Sequence, residues 1–278
     1  MNSNRLGLFM QDARHYQMTY LAIFLLTGIL FLDWHNNLLD YAVLIITALC
    51  IQSAGMIAVN KYHGGWWKSA LITSLGLCLL CKTGSLQTTL LAAILAIGSK
   101  FLIRFRGKHL FNPVNFGLVA TGLITQDLWV SPGQWGSHLI LLLVLGALGF
   151  IVLAKVQRWD APLTFFIVFG GLMYANVVWF KGWEFGVFLH SITSGTLVLF
   201  AFYMITDPMT TPRHRLGRVL WISLMSIISF VLVTQFYFYS APIWVLFFMS
   251  PLVPIIDKIW MSPEYEWVSE KNPIIQSI

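Results

Sequence analysis

His190-Ser-Ile-Thr-Ser-Gly-Thr196 opens a segment that continues as an apolar run to Ile205 and closes with Thr206-Asp207-Pro208-Met-Thr-Thr-Pro212. At about 1.5 Å per helical residue, the run between the two polar ends crosses about one bilayer's depth. A plain membrane anchor needs neither a cluster of hydroxyl residues at its start nor an acid beside a proline at its end. The segment therefore predicts a membrane helix that contributes to a site buried between helices.

The composition is that of a membrane protein. Of the 278 residues, 58% are hydrophobic and 10% are charged, whereas soluble domains carry roughly 25% charged residues. The net charge of +6 comes from basic residues in short loops between apolar runs, a placement that orients membrane helices and is not typical of a nucleic-acid surface. We therefore predict a bilayer environment and no nucleic-acid partner.

The apolar runs predict an all-α polytopic protein with about ten transmembrane helices, each near the roughly 20 residues that a bilayer requires. The quoted segment forms the eighth helix, and the fifth is short. The predicted spans are Met18–Phe31, Tyr41–Val59, Trp66–Cys81, Leu86–Ile103, Asn115–Ile124, His138–Leu153, Leu163–Phe180, Phe185–Ile205, Leu216–Phe238 and Ile243–Trp260.

The positions of lysine and arginine predict the orientation. With ten spans, only Lys82 and Lys181 fall on one side, so the other side, which holds both termini, is expected to be cytoplasmic. Five spans in each half place the second half in the membrane upside down, which predicts two inverted five-helix repeats, residues 1–125 and 126–278, in one transmembrane domain. Ile72-Thr73-Ser74 in the third span and Ile192-Thr193-Ser194 in the eighth support this pairing. The basic residues on the predicted cytoplasmic side are Arg5, Arg14, Lys61, Lys68, Lys100, Arg104, Arg106, Lys108, Lys155, Arg158, Arg213, Arg215, Arg218, Lys258 and Lys271.

Asn112 and Asn115 flank the proline that begins the short fifth span. Asparagine is a good N-cap, and proline suits the first helical turn because its missing N–H is not needed there. The pair can therefore be a plain capped helix start. It can also mark a helix that begins inside the protein, where free backbone N–H groups attract polar or anionic ligand atoms.

The two ends of the eighth span carry the other candidate site residues. Ser194, Gly195 and Thr196 are either small residues for close helix packing or part of a polar pocket for a planar cofactor. Asp207 either ends the helix, pairs with Arg213 or Arg215, or binds a polar ligand edge.

These motifs resemble the NqrB/RnfD family of membrane subunits, from the sodium-translocating NADH:quinone reductase and the Rnf electron-transport complex. The resemblance lies in Phe111-Asn112-Pro113 before a short helix, Ser194-Gly195 opening the eighth span, and Thr206-Asp207-Pro208-Met209-Thr210 closing it. It extends to a compact branch found with enediyne-type biosynthetic genes. The resemblance implies a subunit of the bacterial inner membrane that binds flavin and passes electrons within a larger complex. It also implies membrane partner subunits and coupling to Na⁺ or H⁺ movement, so the chain would not be a catalyst by itself.

In that family, FMN is joined through its phosphate to a threonine in a Ser-Gly-Ala-Thr motif on this helix. Counting back from Thr206-Asp207-Pro208, Thr196 stands at the alanine position and Leu197 at the threonine position. Leucine has no oxygen to esterify, which argues against covalent attachment and leaves noncovalent flavin, quinone binding or a scaffold without cofactor. A permease or channel-like protein with the same inverted repeat is the alternative function.

Overall fold

The computed structural model describes residues 12–32, 34, 38–60, 65–131, 149–150, 153 and 156–263. In this part the chain is mostly helical, which confirms the predicted class. The helices are α1 (Ala13–Phe31), α2 (Leu38–Ala58), α3 (Trp66–Leu80), α4 (Leu86–Leu102), α5 (Pro113–Thr125), α6 (Asp160–Phe180), α7 (Phe185–Ile192), α8 (Gly195–Met204), α9 (Arg215–Gln235) and α10 (Ala241–Ile259).

Four short strands depart from the all-α prediction: β1 (Cys81–Thr83), β2 (Arg104–Phe105), β3 (Lys108–His109) and β4 (Leu128–Val130). β1 pairs antiparallel with β4, and β2 pairs antiparallel with β3. The strands lie in the short connections that follow α3, α4 and α5. They satisfy backbone groups that the helix ends leave without partners.

Four helices are long and apolar enough to cross a bilayer: α2, α6, α9 and α10. α7 and α8 together form a fifth if the bent pair counts as one span. α3, α4 and α5 are apolar but shorter, with 15, 17 and 13 residues, so the predicted short fifth helix is confirmed. The predicted sixth span lies largely outside the described residues.

The eighth span is not the single helix that the sequence predicts. It breaks between Ile192 and Gly195, and the axes of α7 and α8 differ by 51°. Ser194 is extended (φ −65°, ψ 138°) and its hydroxyl accepts a hydrogen bond from the Leu197 N–H, so it acts as the N-cap of a new helix. Thr193 ends α7, and its hydroxyl donates to the Leu189 carbonyl at 2.7 Å. The break arises because serine and threonine side chains bond the local backbone and compete with helical hydrogen bonds.

The described chain divides into two compact units. The first contains α1–α4 and the part of α5 from Phe116. In it, α2 packs on α3 and α4, and α1 packs on α3. The fully buried Ala48, Ala70 and Ile97 lie together in its core. Small side chains at these positions bring the helix backbones close, as is usual for helix packing in membranes.

The second unit contains Leu110–Asn115 and the chain from Ser131 to Pro263. α9 is its central helix and packs on α6 and α10. Phe165 stacks on Phe169 and meets Phe200 of α8 edge to face, which fills the space between α6 and α8 with aromatic rings. This unit holds all six predicted site residues.

Candidate functional site

The inner cluster is a group of polar residues from the start of α5 and from the loop after α8. Asn112 caps α5, as predicted: its Oδ1 accepts from the Asn115 backbone N–H at 3.2 Å. The same side chain donates through Nδ2 to Oδ2 of Asp207 at 3.3 Å. The structure therefore brings together two predicted site residues that lie 95 positions apart in the chain.

Asn115 is fully buried in this cluster. Its Nδ2 donates to the Ile243 carbonyl of α10 at 2.6 Å. Its Oδ1 has no hydrogen-bond partner among the described residues. A buried amide oxygen without a donor costs about 1–3 kcal/mol, so this atom is an acceptor suited to a bound group.

The loop after α8 is folded around Asp207. Oδ1 of Asp207 accepts from the Met209 N–H at 3.0 Å, and its backbone carbonyl accepts from the Thr211 hydroxyl at 2.8 Å. This is an Asx-type turn, in which an aspartate side chain bonds the backbone two residues on. Thr210, 2% exposed, places in the same turn a hydroxyl that has no partner among the described residues.

Two buried arginines that the sequence pattern does not mark as site residues hold this loop in place. Nη1 of Arg158 and Nη1 of Arg218 both donate to the Pro212 carbonyl, at 2.9 and 3.0 Å. Arg158 also donates to the Thr211 hydroxyl at 3.3 Å. Nε and Nη2 of Arg218 lie 2.8 and 2.7 Å from Oδ2 of Asp160 at the start of α6.

Membrane orientation alone accounts for neither arginine, because both are buried and bonded. The signal for Arg218 in the sequence is its position in the first turn of an otherwise apolar helix. The signal for Asp160 is a lone acid at the start of another such helix. A buried charge in a membrane protein is normally paired, so these two residues were candidates for each other.

Arg213, one of the two arginines considered as a partner for Asp207, bonds Asp257 of α10. Its backbone N–H donates to Oδ1 at 2.8 Å, and its Nε lies 3.6 Å from Oδ2. The guanidinium of Arg215 lies over the ring of Trp159, 5.0 Å from its centroid.

The outer cluster lies at the other end of α8 and consists of Ser194, Gly195 and Thr196. Ser194 caps the helix, and the half-buried Thr196 donates its hydroxyl hydrogen bond to the Ser131 carbonyl. α8 spans 195–204, so at about 1.5 Å per residue its length separates this cluster from Asp207 by roughly 15 Å. The six predicted site residues therefore form two groups and not one pocket.

The comparisons with known proteins agree with this architecture. Residues 121–266, just over half of the chain, match the model of the NQR2, RnfD, RnfE family. The chain belongs to this family. The matched segment includes the break before α8, the Asp207 loop and both buried arginines.

One relative of this family member is a subunit of the ion-translocating oxidoreductase complex of Stutzerimonas stutzeri. The two are 30% identical over 154 residues, which cover 55% of this chain and 43% of the relative. The match thus spans less than half of the relative's length. With the apolar helices described above, it identifies the chain as an integral membrane protein of the NQR2, RnfD, RnfE family.

Covalent flavin does not fit the outer cluster of this family member. Leu197, at the position of the expected threonine, is buried and carries no oxygen. The neighbouring Thr196 hydroxyl is bonded to Ser131. The inner cluster is different, because the Asn115 oxygen and the Thr210 hydroxyl are buried without partners among the described residues. These atoms fit a polar ligand edge that is held without a covalent bond.

Proposed function

We propose that this chain is an inner-membrane subunit of an ion-translocating oxidoreductase complex and passes electrons between partner membrane subunits. Membership of the family and the similarity to a subunit of such a complex support this role. The observation that carries the proposal at the level of residues is the inner cluster, where a buried amide oxygen and a buried hydroxyl lack partners among the described residues beside Asp207. Buried polar groups are normally bonded, and an exception points to a missing ligand or water.

The group proposed for this cluster is a noncovalently bound flavin, which supplies one- and two-electron redox steps when bound. Asn115 would accept a hydrogen bond through Oδ1, and Thr210 would donate or accept through its hydroxyl. Asp207 and Asn112 would fix the polar edge of the site, while Arg158 and Arg218 keep the loop in position.

Quinone is the second candidate for the inner cluster. A quinone ring offers carbonyl oxygens, which accept hydrogen bonds but cannot donate them. It can therefore use the Thr210 hydroxyl but leaves Oδ1 of Asn115 without a donor. A flavin ring carries an N–H group as well as carbonyls, so it satisfies both atoms, and we favour it for this reason.

The proposed topology keeps ten spans in two inverted repeats with both termini cytoplasmic. Corresponding carboxylates support it. Asp127, just after the fifth span, accepts from the hydroxyls of Ser85 and Thr88 at the start of the fourth, at 3.1 and 2.7 Å. Asp257, near the end of the tenth span, accepts from the Arg213 N–H just before the ninth. Each half thus places an acid from its last helix at the N-terminus of its fourth, where negative charge is favourable.

Helix packing inside the two units supports the same topology. In the first unit, the second span (α2) packs on the fourth (α4) and on the third (α3). In the second unit, the seventh span (α6) packs on the ninth (α9) and on the first part of the eighth (α7). Equivalent positions in the two halves therefore make equivalent contacts.

The test is the flavin content of the full chain purified in mild detergent. We expect flavin absorbance in the native protein and release of all flavin into the supernatant after acid precipitation. The Asn115→Leu variant should lose about tenfold in flavin affinity, the effect of leaving one ligand donor unpaired at roughly 1.4 kcal/mol. The matched control is Ser229→Ala, which removes a buried hydroxyl of α9 that also lacks a partner among the described residues; its flavin content should not change.

Two results would oppose the proposal. Freshly purified protein without flavin bands would favour the permease, channel-like or scaffold alternative. Flavin that stays with the precipitated polypeptide would show covalent attachment and would contradict the interpretation of Leu197 and Thr196.

A further inference from the structure

A short basic hairpin follows α4 and has no part in the proposed electron transfer. β2 and β3 form it, with Arg104 opposite His109 and Phe105 opposite Lys108. Arg104 and Arg106 are exposed, and Phe105 is 49% exposed. Just before the hairpin, Leu102 at the end of α4 is 85% exposed. An exposed apolar helix end therefore continues directly into an exposed aromatic ring and two guanidinium groups.

The turn of the hairpin is built in an unusual way. Arg106 and Gly107 have φ angles of +47° and +84°, and two successive left-handed residues are typical of a type I′ turn. Asparagine, aspartate or glycine normally takes the first of these positions, because other side chains are disfavoured there. The chain places an arginine at this position, so its side chain stands at the tip of the hairpin.

Local contacts hold the two exposed guanidinium groups close to the tip. Arg104 donates through Nη2 to the Gly107 carbonyl across the turn. The Arg106 guanidinium lies over the Phe105 ring, 5.6 Å from its centroid. The sequence from residue 101 to residue 111 contains no acidic residue. The hairpin therefore presents preorganised positive charge beside apolar groups.

From this charge complementarity we propose that the hairpin 104–109 binds the headgroup of an anionic phospholipid at the membrane surface. Guanidinium groups suit phosphate, because their planar N–H donors match two phosphate oxygens at once. Aromatic side chains are favoured at the level of the headgroups, and anionic lipids attract basic residues next to a membrane helix. Orientation of the helices would need basic residues only somewhere in the loop. It would not need an arginine in a left-handed turn beside an exposed phenylalanine.

The test is native mass spectrometry of the full chain in detergent, mixed with phosphatidylglycerol or with phosphatidylcholine. The wild type should retain phosphatidylglycerol preferentially. The Arg104→Gln/Arg106→Asn variant should reduce this retention roughly tenfold, because two surface charges near the headgroup are lost. Asparagine suits the left-handed position, so its thermal unfolding temperature should stay the same or rise, and loss of lipid cannot then be explained by misfolding. The control Arg215→Gln removes an exposed basic side chain elsewhere in the protein.

Three outcomes would overturn the proposal. The first is retention of phosphatidylglycerol by the hairpin variant at the wild-type level. The second is an equal loss in the Arg215→Gln control, which would show a diffuse charge effect. The third is loss of a co-purifying protein subunit with unchanged lipid retention, which would make the hairpin a protein-docking element. None of these readouts depends on flavin, so this test and that of the proposed function fail separately.

Discussion

The buried ion pair between Arg218 and Asp160 allows a sharp test of how the Asp207 loop is held. Both side chains are about 95% buried, with 5% and 6% exposure. Arg218→Met removes two short contacts to Asp160 and the hydrogen bonds to the Pro212 and Arg213 carbonyls, at 3.0 and 3.1 Å. It leaves the Asp160 carboxylate buried without its arginine. Breaking a buried pair in this way costs about 3–5 kcal/mol in the free energy of unfolding.

The assay is thermal unfolding of the purified chain in detergent. For proteins somewhat smaller than this one, each kcal/mol shifts the midpoint by about 2–4 °C, so Arg218→Met should lower it by about 6 °C or more. The double variant Asp160→Leu/Arg218→Met should recover most of the loss, because no uncompensated charge remains. The control Arg215→Met changes an exposed arginine and should shift the midpoint by only about 1–2 °C. If Arg218→Met behaves like this control, or if the double variant is as unstable as the sum of the single ones, the pair does not hold the loop.

Three further predictions concern other parts of the chain. Asp12→Asn should lower stability at pH 7 and flatten its loss in acid: burial raises the pKa of Asp12, but the hydrogen bonds and charge of Arg14 and the charge of a nearby lysine lower it more, so the stabilisation is complete above the unfolded pKa of about 3.9 and is lost as pH falls through the lower folded value; unfolding midpoints between about pH 3 and pH 7 measure this. Gly117→Ala should destabilise by about 1–3 kcal/mol, since its methyl would lie 2.9 Å from the Ala92 carbonyl oxygen, and an unchanged unfolding midpoint would contradict this packing. Ser194→Ala should cost about 1 kcal/mol through loss of the α8 cap without changing flavin content, and chemical denaturation in detergent measures the difference.

The helices could be predicted from the sequence because the length of an apolar run in a membrane protein is set by the bilayer. The predicted span Leu216–Phe238, for example, is observed as Arg215–Gln235. The break before α8 could not be predicted in the same way, since the apolar pattern continues through it. It depends on two local side-chain hydrogen bonds, from Thr193 to Leu189 and from Leu197 to Ser194, and each of these residues is also common inside membrane helices.

The site was predicted in part. The individual residues of the inner cluster stood out because asparagine and aspartate are costly in an apolar protein without partners. Their grouping did not, because Asn112 and Asp207 lie 95 residues apart and Asp160 and Arg218 lie 58 apart. Sequence spacing carries information about contacts within one helix, but contacts between helices depend on packing that the chain pattern does not record.

A pair of matched variants at the two ends of α8 tests where the ligand binds. Thr196→Val and Thr210→Val make the same near-isosteric change, but the hydroxyl of Thr196 is bonded to Ser131 and that of Thr210 has no partner among the described residues. Thr196→Val should therefore cost about 1 kcal/mol of stability and leave flavin affinity unchanged. Thr210→Val should leave stability nearly unchanged and lower flavin affinity about fivefold, the effect of one lost hydrogen bond of roughly 1 kcal/mol. Equilibrium titration of flavin fluorescence measures both. The opposite pattern, with affinity lost only in Thr196→Val, would move the ligand to the outer cluster, because the hydroxyl bonded to Ser131 would then have to exchange that bond for one to the flavin.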